Sequence, residues 1–289
     1  MNYCIVIFSY DDGDLAKIPI SKALSSRASS IIFAGGGKAP YDFISTIEDE
    51  RFIPRIEDKR IGKSSALLGI LKFIQEDVTF LVSGDISFGD EIFEQMMREF
   101  DESTGVVVPR ISLADGSGLW WNVSKVLWDI HDSQLTVLSQ LSENSHGGEL
   151  IAIKTSLLKG FRDVINDDAF LCISAANMGL SVKYLDSAVV RSISPRSFLD
   201  LVVQRRRINY GHLELLRMRM DPKVMDTLLF TDPSLFMLIM NHFLKKHRED
   251  LIFLPLTIFC EFISMTLSRI DFATGKSHKI WKIVPRIVP

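Results

Sequence analysis

The amino-acid sequence predicts an α/β fold with a mainly parallel sheet, followed by a helical C-terminal region. Apolar, β-branched runs at residues 4–8, 30–34 and 78–82 have the length and continuity of buried strands. Segments with helical spacing separate later strands, and such alternation is typical of a parallel sheet covered on both faces. The 289 residues suffice for one large α/β domain, or for one domain with an appendage.

The segments between the strands predict helices. Over residues 63–77, apolar side chains recur at i, i+3, i+4 and i+7. A second helix is expected to open near Asp90, a carboxylate suited to an N-cap, with Met96 and Phe100 facing inward. Residues 106–108 then predict another strand, so that the alternation continues to about residue 110.

The middle of the chain gives a weaker pattern. Residues 115–134 mix turn residues with three tryptophans and predict loop and helix. Residues 149–154 and 181–185 resemble strands, and residues 168–178 a helix.

A long helix is expected to start at Ser194 and Pro195, because serine is a common N-cap and proline suits the first helical position. This helix carries Arg205, Arg206 and Arg207. Arginines in such a run either grip a phosphate in bidentate fashion or form a solvated face.

The composition narrows the function classes. A net charge of −3 gives no reason to expect nucleic acid as a partner. Cys4, Cys172 and Cys260 are too widely spaced for a metal-ligand pair or a disulfide framework, which fits a reducing compartment. The first apolar run is too short, and too soon followed by acids, for a signal peptide. Mean hydropathy is nevertheless +0.17, and much of the excess lies after residue 225.

The C-terminal part contains a 17-residue apolar run, residues 251–267, at the lower edge of what spans a bilayer. Thr257, Glu261 and Ser264 place one polar stripe on it. Such a helix lies in the membrane interface, packs against a partner helix, or belongs to a buried helical subdomain. The basic residues before it favour an anionic cytoplasmic surface. They are Arg205 to Arg207, Arg217, Arg219, Lys223, Lys245 and Lys246.

Two acids stand where chemistry is expected. Asp85 follows the strand at residues 78–82, and open α/β sheets bind ligands beyond the carboxyl ends of their strands. Its carboxylate either holds a divalent cation with substrate phosphates or caps a turn. Asp168 opens a predicted helix, whose N-terminal partial charge is expected to keep it ionised. It is either a general base or a helix cap.

The order of the motifs is more informative than any single one. SYDD, GKSSAL, SGD, INDD and QRRRI follow one another, and this succession resembles the inverting family 2 glycosyltransferases of the GT-A fold. That group contains cellulose, chitin and hyaluronan synthases and many lipid-directed sugar transferases. The resemblance covers about residues 3–215. It implies a GT-A domain over residues 1–215 and a helical, membrane-associated region over residues 216–289.

The resemblance implies roles for individual residues. Tyr10 and Asp12 stand where the family contacts the nucleotide, and Lys63 matches its glycine-lysine element nearby. Asp85 matches the last acid of the family's Asp-x-Asp motif, which ligates Mn²⁺ or Mg²⁺ under the diphosphate. Asp168 matches the general base that deprotonates the acceptor hydroxyl.

Further positions match or depart from the family's pattern. Gln204 and Arg207 match its Gln-x-x-Arg-Trp motif and, with Asp167, are assigned to the diphosphate and acceptor. Ser83 replaces the first acid of Asp-x-Asp, which lowers the expected affinity for metal. Ile208 replaces the tryptophan associated with processive synthases, so we expect transfer of one or a few sugars.

Two other functions stay open at this point. Residues 34–40, AGGGKAP, lack the acid that the family often carries there, which leaves the nucleobase unassigned. They superficially resemble the glycine-rich loop of sugar-phosphate nucleotidyltransferases, although that loop follows the first strand. A non-catalytic, membrane-docked sugar-binding scaffold would explain Ser83 but not the presence of Asp168, Gln204 and Arg207.

The sequence therefore predicts metal-assisted, inverting transfer from a nucleotide-sugar donor to a lipid-linked or saccharide acceptor. The expected location is the cytoplasmic face of the cell membrane, with peripheral or monotopic attachment. Trp120, Trp121 and Trp128 either stack on an acceptor sugar or belong to the core.

Overall fold

The computed structural model describes residues 1–143 and 146–280. Within these residues the strands form an eight-stranded sheet in the order β3-β2-β1-β4-β7-β6-β8-β5. The strands are β1 (Tyr3–Tyr10), β2 (Ser30–Gly36), β3 (Phe52–Glu57), β4 (Val78–Ser83), β5 (Ser87–Phe88), β6 (Thr104–Leu113), β7 (Leu150–Lys154) and β8 (Ser181–Ser192).

The sheet is mainly parallel, as predicted. β1 is parallel to both β2 and β4, β2 is parallel to β3, and β6 is parallel to β8. β7 runs antiparallel between β4 and β6, and the short β5 is antiparallel to β8. The carboxyl ends of β1, β2, β3 and β4 consequently meet at one edge of the sheet.

Ten α-helices connect or follow the strands in the described part of the chain. They are α1 (Lys17–Leu24), α2 (Tyr41–Ser45), α3 (Lys63–Ile70), α4 (Ile92–Met97), α5 (Leu119–Gln140), α6 (Asp167–Asn177), α7 (Phe198–Arg217), α8 (Met225–Thr231), α9 (Pro233–Lys246) and α10 (Leu254–Thr274).

The sequence of β1 is a continuous apolar run, with no alternation of apolar and polar residues, because both faces of the strand are buried. Cys4, Val6 and Phe8 belong to the core cluster on one face of the sheet. Ile5 and Ile7 belong to the cluster on the other face. Because helices cover both faces, every position of such a strand is buried, and a continuous apolar run results.

Several helix boundaries differ from those predicted. The helix predicted over residues 63–77 ends at Ile70, and a 3₁₀ turn, Leu71–Phe73, follows it. The helix expected at Asp90 begins after Glu91, and Asp90 instead forms an ion pair with Lys22.

The helix expected after Ser194 and Pro195 begins three residues later. Pro195 is still in an extended bridge, and Ser197 is the N-cap of α7, accepting a hydrogen bond from the Asp200 backbone N–H at 3.2 Å. Ser197 also donates to the Asp200 carboxylate at 2.8 Å. A serine with an acid three residues later has the capping-box spacing, which Ser194 lacks.

The polar stripe of the C-terminal apolar run faces the protein. Thr257 and Ser264 of α10 are buried, and Glu261 pairs with Arg205 of α7. The partner helix considered in the sequence analysis is therefore α7 of the same chain. Apolar side chains of α10 face outward instead, among them Ile258, Phe259, Phe262 and Ile270.

Some basic residues assigned to a membrane surface are paired with acids. Arg206 binds Asp271 of α10, and Lys246 binds Asp132 of α5. In the described residues, no helix combines the length and the apolar character that a membrane span requires. Membrane association and the division of the chain after residue 215 stay predictions.

Candidate active site

A cavity of about 980 Å³ begins where β1 and β4 end and continues between α7, α8, α9 and α10. All the residues that the sequence analysis assigns to the site line this cavity. They are Tyr10, Asp12, Lys63, Asp85, Asp167, Asp168, Gln204 and Arg207. The fold thus brings together side chains from five separate stretches of sequence, as ligand sites at the carboxyl edge of α/β sheets require.

The outer end of the cavity combines an aromatic ring with charges. The Arg60 guanidinium lies 5.4 Å from the centre of the Tyr10 ring. Burial lowers the pKa of Arg60, and the charges of Asp12 and Asp11 oppose that shift. This end therefore offers a stacking surface and a cation, which suit a nucleotide.

Two residues at this end, Arg60 and Glu57, belong to none of the motifs found in the sequence. Glu57 is the last residue of β3 and lines the cavity, and burial raises its pKa. β3 itself escapes detection because Pro54 interrupts its pattern, and only an edge strand tolerates a proline. Glu57 supplies an acid near the position where residues 34–40 lack one.

Asp85 occupies the predicted place beyond β4. It is 6% exposed, and Ser83 and Asp85 both line the cavity. Gly84 between them donates a backbone hydrogen bond to the Phe8 carbonyl at 2.7 Å. A Cβ at this glycine would lie 2.5 Å from the Ser9 Cβ, so only glycine lets the chain pass so close to β1.

The start of α6 places two acids beside Lys63. The Lys63 Nζ lies 2.9 Å from an Asp167 carboxylate oxygen. Burial lowers the pKa of Lys63, but the charges of Asp167 and Asp168 outweigh burial and leave the pKa raised. Burial and the negative charge of Asp167 raise the pKa of Asp168 to about 7.

The expectation that the start of α6 keeps Asp168 ionised is wrong, because the pKa of this carboxyl is raised. The N-terminal dipole of α6 does not keep this carboxyl at a low pKa, because burial and the adjacent Asp167 charge are larger effects. A carboxylate with a pKa near neutrality is better matched to accepting a proton than an ordinary aspartate.

Helix α7 contributes Gln204 and Arg207, which lie one turn apart on the side facing the cavity. Burial lowers the pKa of Arg207, and the charges of Glu149 and Asp167 oppose that shift. Arg207 thus places a permanent cation close to the acids of the cavity.

The comparison with protein families decides the identity of the chain. A model described as glycosyltransferase-like family 2 matches residues 47–211, more than half of the chain. The chain belongs to this family. It is a glycosyltransferase, and this membership sets aside the nucleotidyltransferase and the scaffold. A search of curated proteins by sequence finds no match.

Solved structures show that the fold of this glycosyltransferase is GT-A. A mannosyltransferase, PcManGT from Pyrobaculum calidifontis, in complex with GDP-Man and Mn²⁺, is 12% identical, with 96% of this chain and 88% of that chain covered and a TM-score of 0.64. S. aureus TarS 1-349 is 8% identical, with 96% and 93% covered and a TM-score of 0.52.

A third neighbour is glucosyl-3-phosphoglycerate synthase from Mycobacterium tuberculosis, in complex with Mn²⁺, UDP and phosphoglyceric acid. It is 14% identical, with 75% of this chain and 78% of that chain covered and a TM-score of 0.53. At such low identities these structures establish the fold and not the substrates of this glycosyltransferase.

The arginine run of the glycosyltransferase does not form a solvated face, because none of the three side chains is exposed and two of them are paired with acids. Arg207 lines the cavity with the acids. Arg205 holds Glu261 of α10 through two hydrogen bonds of 2.6 and 2.9 Å, and Arg206 holds Asp271. Two of the three arginines therefore fasten α10 to α7.

The three tryptophans lie in different environments. Trp128 lines the cavity, with its ring edge-on to His131 at 5.6 Å. Trp120 packs in a core cluster with Phe198, and the Trp121 Nε1 donates to the Ala114 carbonyl at 3.0 Å. Only Trp128 of these three lines the cavity.

One group of acids and histidine in the described residues has ligand atoms close enough for a metal: Asp129, His247 and Asp250. These residues do not line the cavity. The Lys125 Nζ lies 2.7 Å from both carboxylates and occupies the position of a cation. The group is therefore an ion-pair network that joins α5 to the segment after α9.

Proposed function

We propose that this glycosyltransferase moves a sugar from a nucleoside-diphosphate donor to a lipid-linked or saccharide acceptor, in a single displacement that inverts the anomeric centre. The proposal rests on one observation: the nucleotide-end residues, Asp85, the α6 acids and Arg207 all line the same cavity. Displacing a diphosphate requires charge neutralisation on one side of the sugar and a base on the other.

The donor is assigned to the outer end of the cavity. Tyr10 and Arg60 offer a flat, cationic surface for the nucleoside, and Asp12 lines the same region. Lys63 and Arg207 supply positive charge for the diphosphate. A donor of this kind is supported by two complexes. PcManGT binds GDP-Man and Mn²⁺, and glucosyl-3-phosphoglycerate synthase binds UDP and Mn²⁺.

The residues around Asp85 fit a divalent cation. The carboxylate of Asp85 and the hydroxyl of Ser83 line the cavity, and the buried Ser9 hydroxyl beside Gly84 has no hydrogen-bond partner in the described residues. Oxygen atoms are the ligands that Mn²⁺ and Mg²⁺ take in such sites. When bound, the ion would neutralise charge on the leaving diphosphate.

Asp168 is the proposed base. With a pKa of about 7, a substantial fraction of this carboxyl is ionised at neutral pH, and it still accepts a proton readily. The charge of Asp167 keeps that pKa high, while the Lys63–Asp167 ion pair holds the neighbouring side chains in place. Gln204 is assigned to positioning of the diphosphate and acceptor.

We place the enzyme at the cytoplasmic face of the cell membrane as a peripheral or monotopic protein that transfers one or a few sugars. The outward-facing apolar residues of α10 support this location, because exposed apolar side chains of an amphipathic helix bind the interface. Ile208 in place of the tryptophan of Gln-x-x-Arg-Trp supports limited transfer.

A screen of nucleotide sugars tests the proposal. Release of nucleoside diphosphate is followed with Mn²⁺ or Mg²⁺ and lipid extract, using the wild type, Asp85→Asn and the matched control Asp90→Asn. Asp90 is an exposed acid that follows β5, and it is paired with Lys22. We expect metal-dependent turnover with one donor, a much higher metal requirement for Asp85→Asn, and no change for Asp90→Asn. Absence of both turnover and donor binding would refute the proposal.

A further inference from the structure

The part of the cavity between the C-terminal helices is not used by the donor chemistry. Apolar side chains from α8, α9 and α10 line it, and we call this part the apolar arm. They are Leu229, Phe230, Phe236, Met240, Ile258 and Phe262. A sugar gains little from such walls, whereas a hydrocarbon chain leaves water on entering them.

The apolar arm is continuous with the surface of the molecule. Phe230 and Phe262 line the arm although 78% and 67% of their surfaces are exposed. Two of the outward-facing residues of α10, Ile258 and Phe262, therefore form part of the arm. A chain entering from an apolar surface would reach the arm without crossing a polar barrier.

Another part of the cavity is lined by a half-buried and three buried polar side chains, which we call the histidine subsite: His131, His146, Asn209 and His212. Their imidazole rings stand edge to face, with centroids 5.7 Å apart for His131 and His146 and 5.9 Å apart for His146 and His212. All four residues line the cavity.

The histidine subsite contains buried atoms that lack hydrogen bonds. His146 Nδ1, Asn209 Nδ2 and His212 Nδ1 have no hydrogen-bond partner among the described residues, and each residue is less than 8% exposed. Buried polar atoms in native proteins are nearly always paired. The three residues that carry these atoms line one cavity, and oxygen atoms of a ligand bound there would complete their hydrogen bonds.

The subsite is electrically neutral at physiological pH. Burial lowers the pKa of His131 to about 3 and that of His146 to about 4, with nearby positive charge adding to the effect. Each neutral imidazole provides one donor and one acceptor. Together with the Asn209 amide, they suit a hydroxyl group or a phosphate oxygen.

The position of the subsite connects the two ends of the cavity. At Gly211 of α7, a Cβ would lie 2.3 Å from the Asn166 side chain, so α7 packs closely on the residue before Asp167. On its other side, Arg205 is near enough to depress the pKa of His146 and binds Glu261 of α10. A ligand in the subsite therefore has the acids at one end and α10 at the other.

We propose that the acceptor is a lipid whose polar head occupies the histidine subsite beside Asp168 and whose hydrocarbon chain lies in the apolar arm. This inference rests on the proposed function, because sugar transfer defines the acceptor. An oxygen of the head attacks the anomeric carbon, and the bond from that carbon to the diphosphate breaks, its electron pair leaving with the nucleoside diphosphate. A hydroxyl head gives its proton to Asp168, whereas an ionised phosphate head has none to give.

Binding of alkyl compounds to the full chain, without donor or metal, tests the inference. Ethyl, hexyl and octyl glucosides, and the corresponding alkyl phosphates, are titrated below their micelle concentrations by calorimetry. We expect saturable binding that strengthens by about fourfold for each added methylene group. The glucoside and phosphate series distinguish the two kinds of head.

Two methionines of α9 give a matched pair of variants. Met240 lines the arm, whereas Met237 is 62% exposed and does not line the cavity. Met240→Glu is expected to weaken octyl binding by roughly tenfold or more while ethyl binding is unchanged, because a charge in an apolar space is unfavourable. Met237→Glu is expected to bind like the wild type. Phe262→Glu is a second variant of the arm and is also expected to weaken octyl binding. Because Phe262 is largely exposed, misfolding would not explain such a loss.

The results separate this inference from the proposed function. Affinity independent of chain length, no binding of any compound, or equal losses in Met240→Glu and Met237→Glu would overturn the lipid acceptor. Nucleoside diphosphate release to water or a small sugar would persist in that case. Chain-length-dependent binding with neither turnover nor binding of any donor would instead support the lipid site and refute the proposed sugar transfer.

Discussion

Polar and apolar residues are arranged in opposite ways at the two ends of the cavity. At the sheet edge, apolar strands are buried and the acids and cations collect beyond them, around Lys63 and Asp167. In the C-terminal helices, the polar stripe of α10 is turned inward and the apolar residues Phe259 and Phe262 face out. A hydropathy pattern thus identifies the two faces of a helix, but partners elsewhere in the chain decide which face is buried.

The partners in question are on α7. Arg205 and Arg206 bind Glu261 and Asp271 of α10, so the charged residue of the stripe and an acid after it are paired inside the molecule. Buried or half-buried charges are retained only when they are paired in this way. The outward apolar face is the consequence, and the following predictions test each side of this contrast.

The largest expected effect is at the catalytic end. Asp168→Asn is expected to lower transfer by roughly 10²–10⁴-fold, because the amide cannot accept the acceptor proton. Donor binding, measured by calorimetry with the nucleoside diphosphate, is expected to persist. The matched control is Asp163→Asn, which alters an acid nearby in sequence that pairs with Lys279. Similar losses in both variants would point to folding and not to a base.

The pH profile of transfer is the second test. Asp168 must be ionised to act as a base, and its pKa is raised to about 7. Below pH 7 the rate is therefore expected to fall by about tenfold for each pH unit, whereas an ordinary aspartate would give a flat profile down to about pH 5. Lys63 opposes the raised pKa, so Lys63→Met is expected to move the midpoint to higher pH. A flat wild-type profile between pH 5 and 8 would exclude Asp168 as the base.

The ion pair between α7 and α10 predicts a change in stability. Arg205→Met leaves Glu261 without its partner and is expected to lower the free energy of unfolding by about 1–3 kcal/mol, below the range for fully buried pairs because both side chains are about one-fifth exposed. Chemical denaturation measures the loss.

The double variant Arg205→Met/Glu261→Leu is expected to recover part of the free energy of unfolding that Arg205→Met loses. Arg191→Met is the control, since Arg191 and Asp115 form an exposed pair that contributes little. If Arg191→Met destabilised the protein as much, the pairing of α10 with α7 would not explain its orientation.

The sequence predicted the sheet strands best where they are buried on both faces. β1, β2 and β4 were recognised because their apolar runs are continuous, while β3 was missed because it is an edge strand with a proline. Predicted helix starts are less reliable. Ser194 and Ser197 are equally suitable as N-caps by residue type, and only the contact of Ser197 with Asp200 distinguishes them.

The candidate site was predicted where motifs are short and ordered along the chain. Asp85, Asp168 and Arg207 reach the cavity as expected. Glu57 could not be found in this way because it belongs to no motif, and no role was predicted for His146. Their place in the cavity depends on strand order and helix packing, which no local pattern encodes.

The smallest expected effect concerns the outward apolar surface. Ile252 is 78% exposed just before α10, and Phe259 is 53% exposed on α10. Serine at each position is expected to weaken partitioning onto vesicles containing anionic lipid by about fivefold, since roughly half of a large side chain's burial is lost. Met178→Ser, at an equally exposed position after α6, is expected to have no effect. Flotation with labelled vesicles measures all three variants.

Salt sharpens this last test. Because Arg205, Arg206 and Lys246 are paired with acids, attraction to anionic lipid is expected to contribute less than apolar contact. Raising the salt concentration should therefore weaken vesicle binding only slightly, whereas the Ile252 and Phe259 variants weaken it at every salt concentration. Strong salt dependence with no effect of these variants would mean that the remaining basic residues, and not the outward face of α10, bring the enzyme to the membrane.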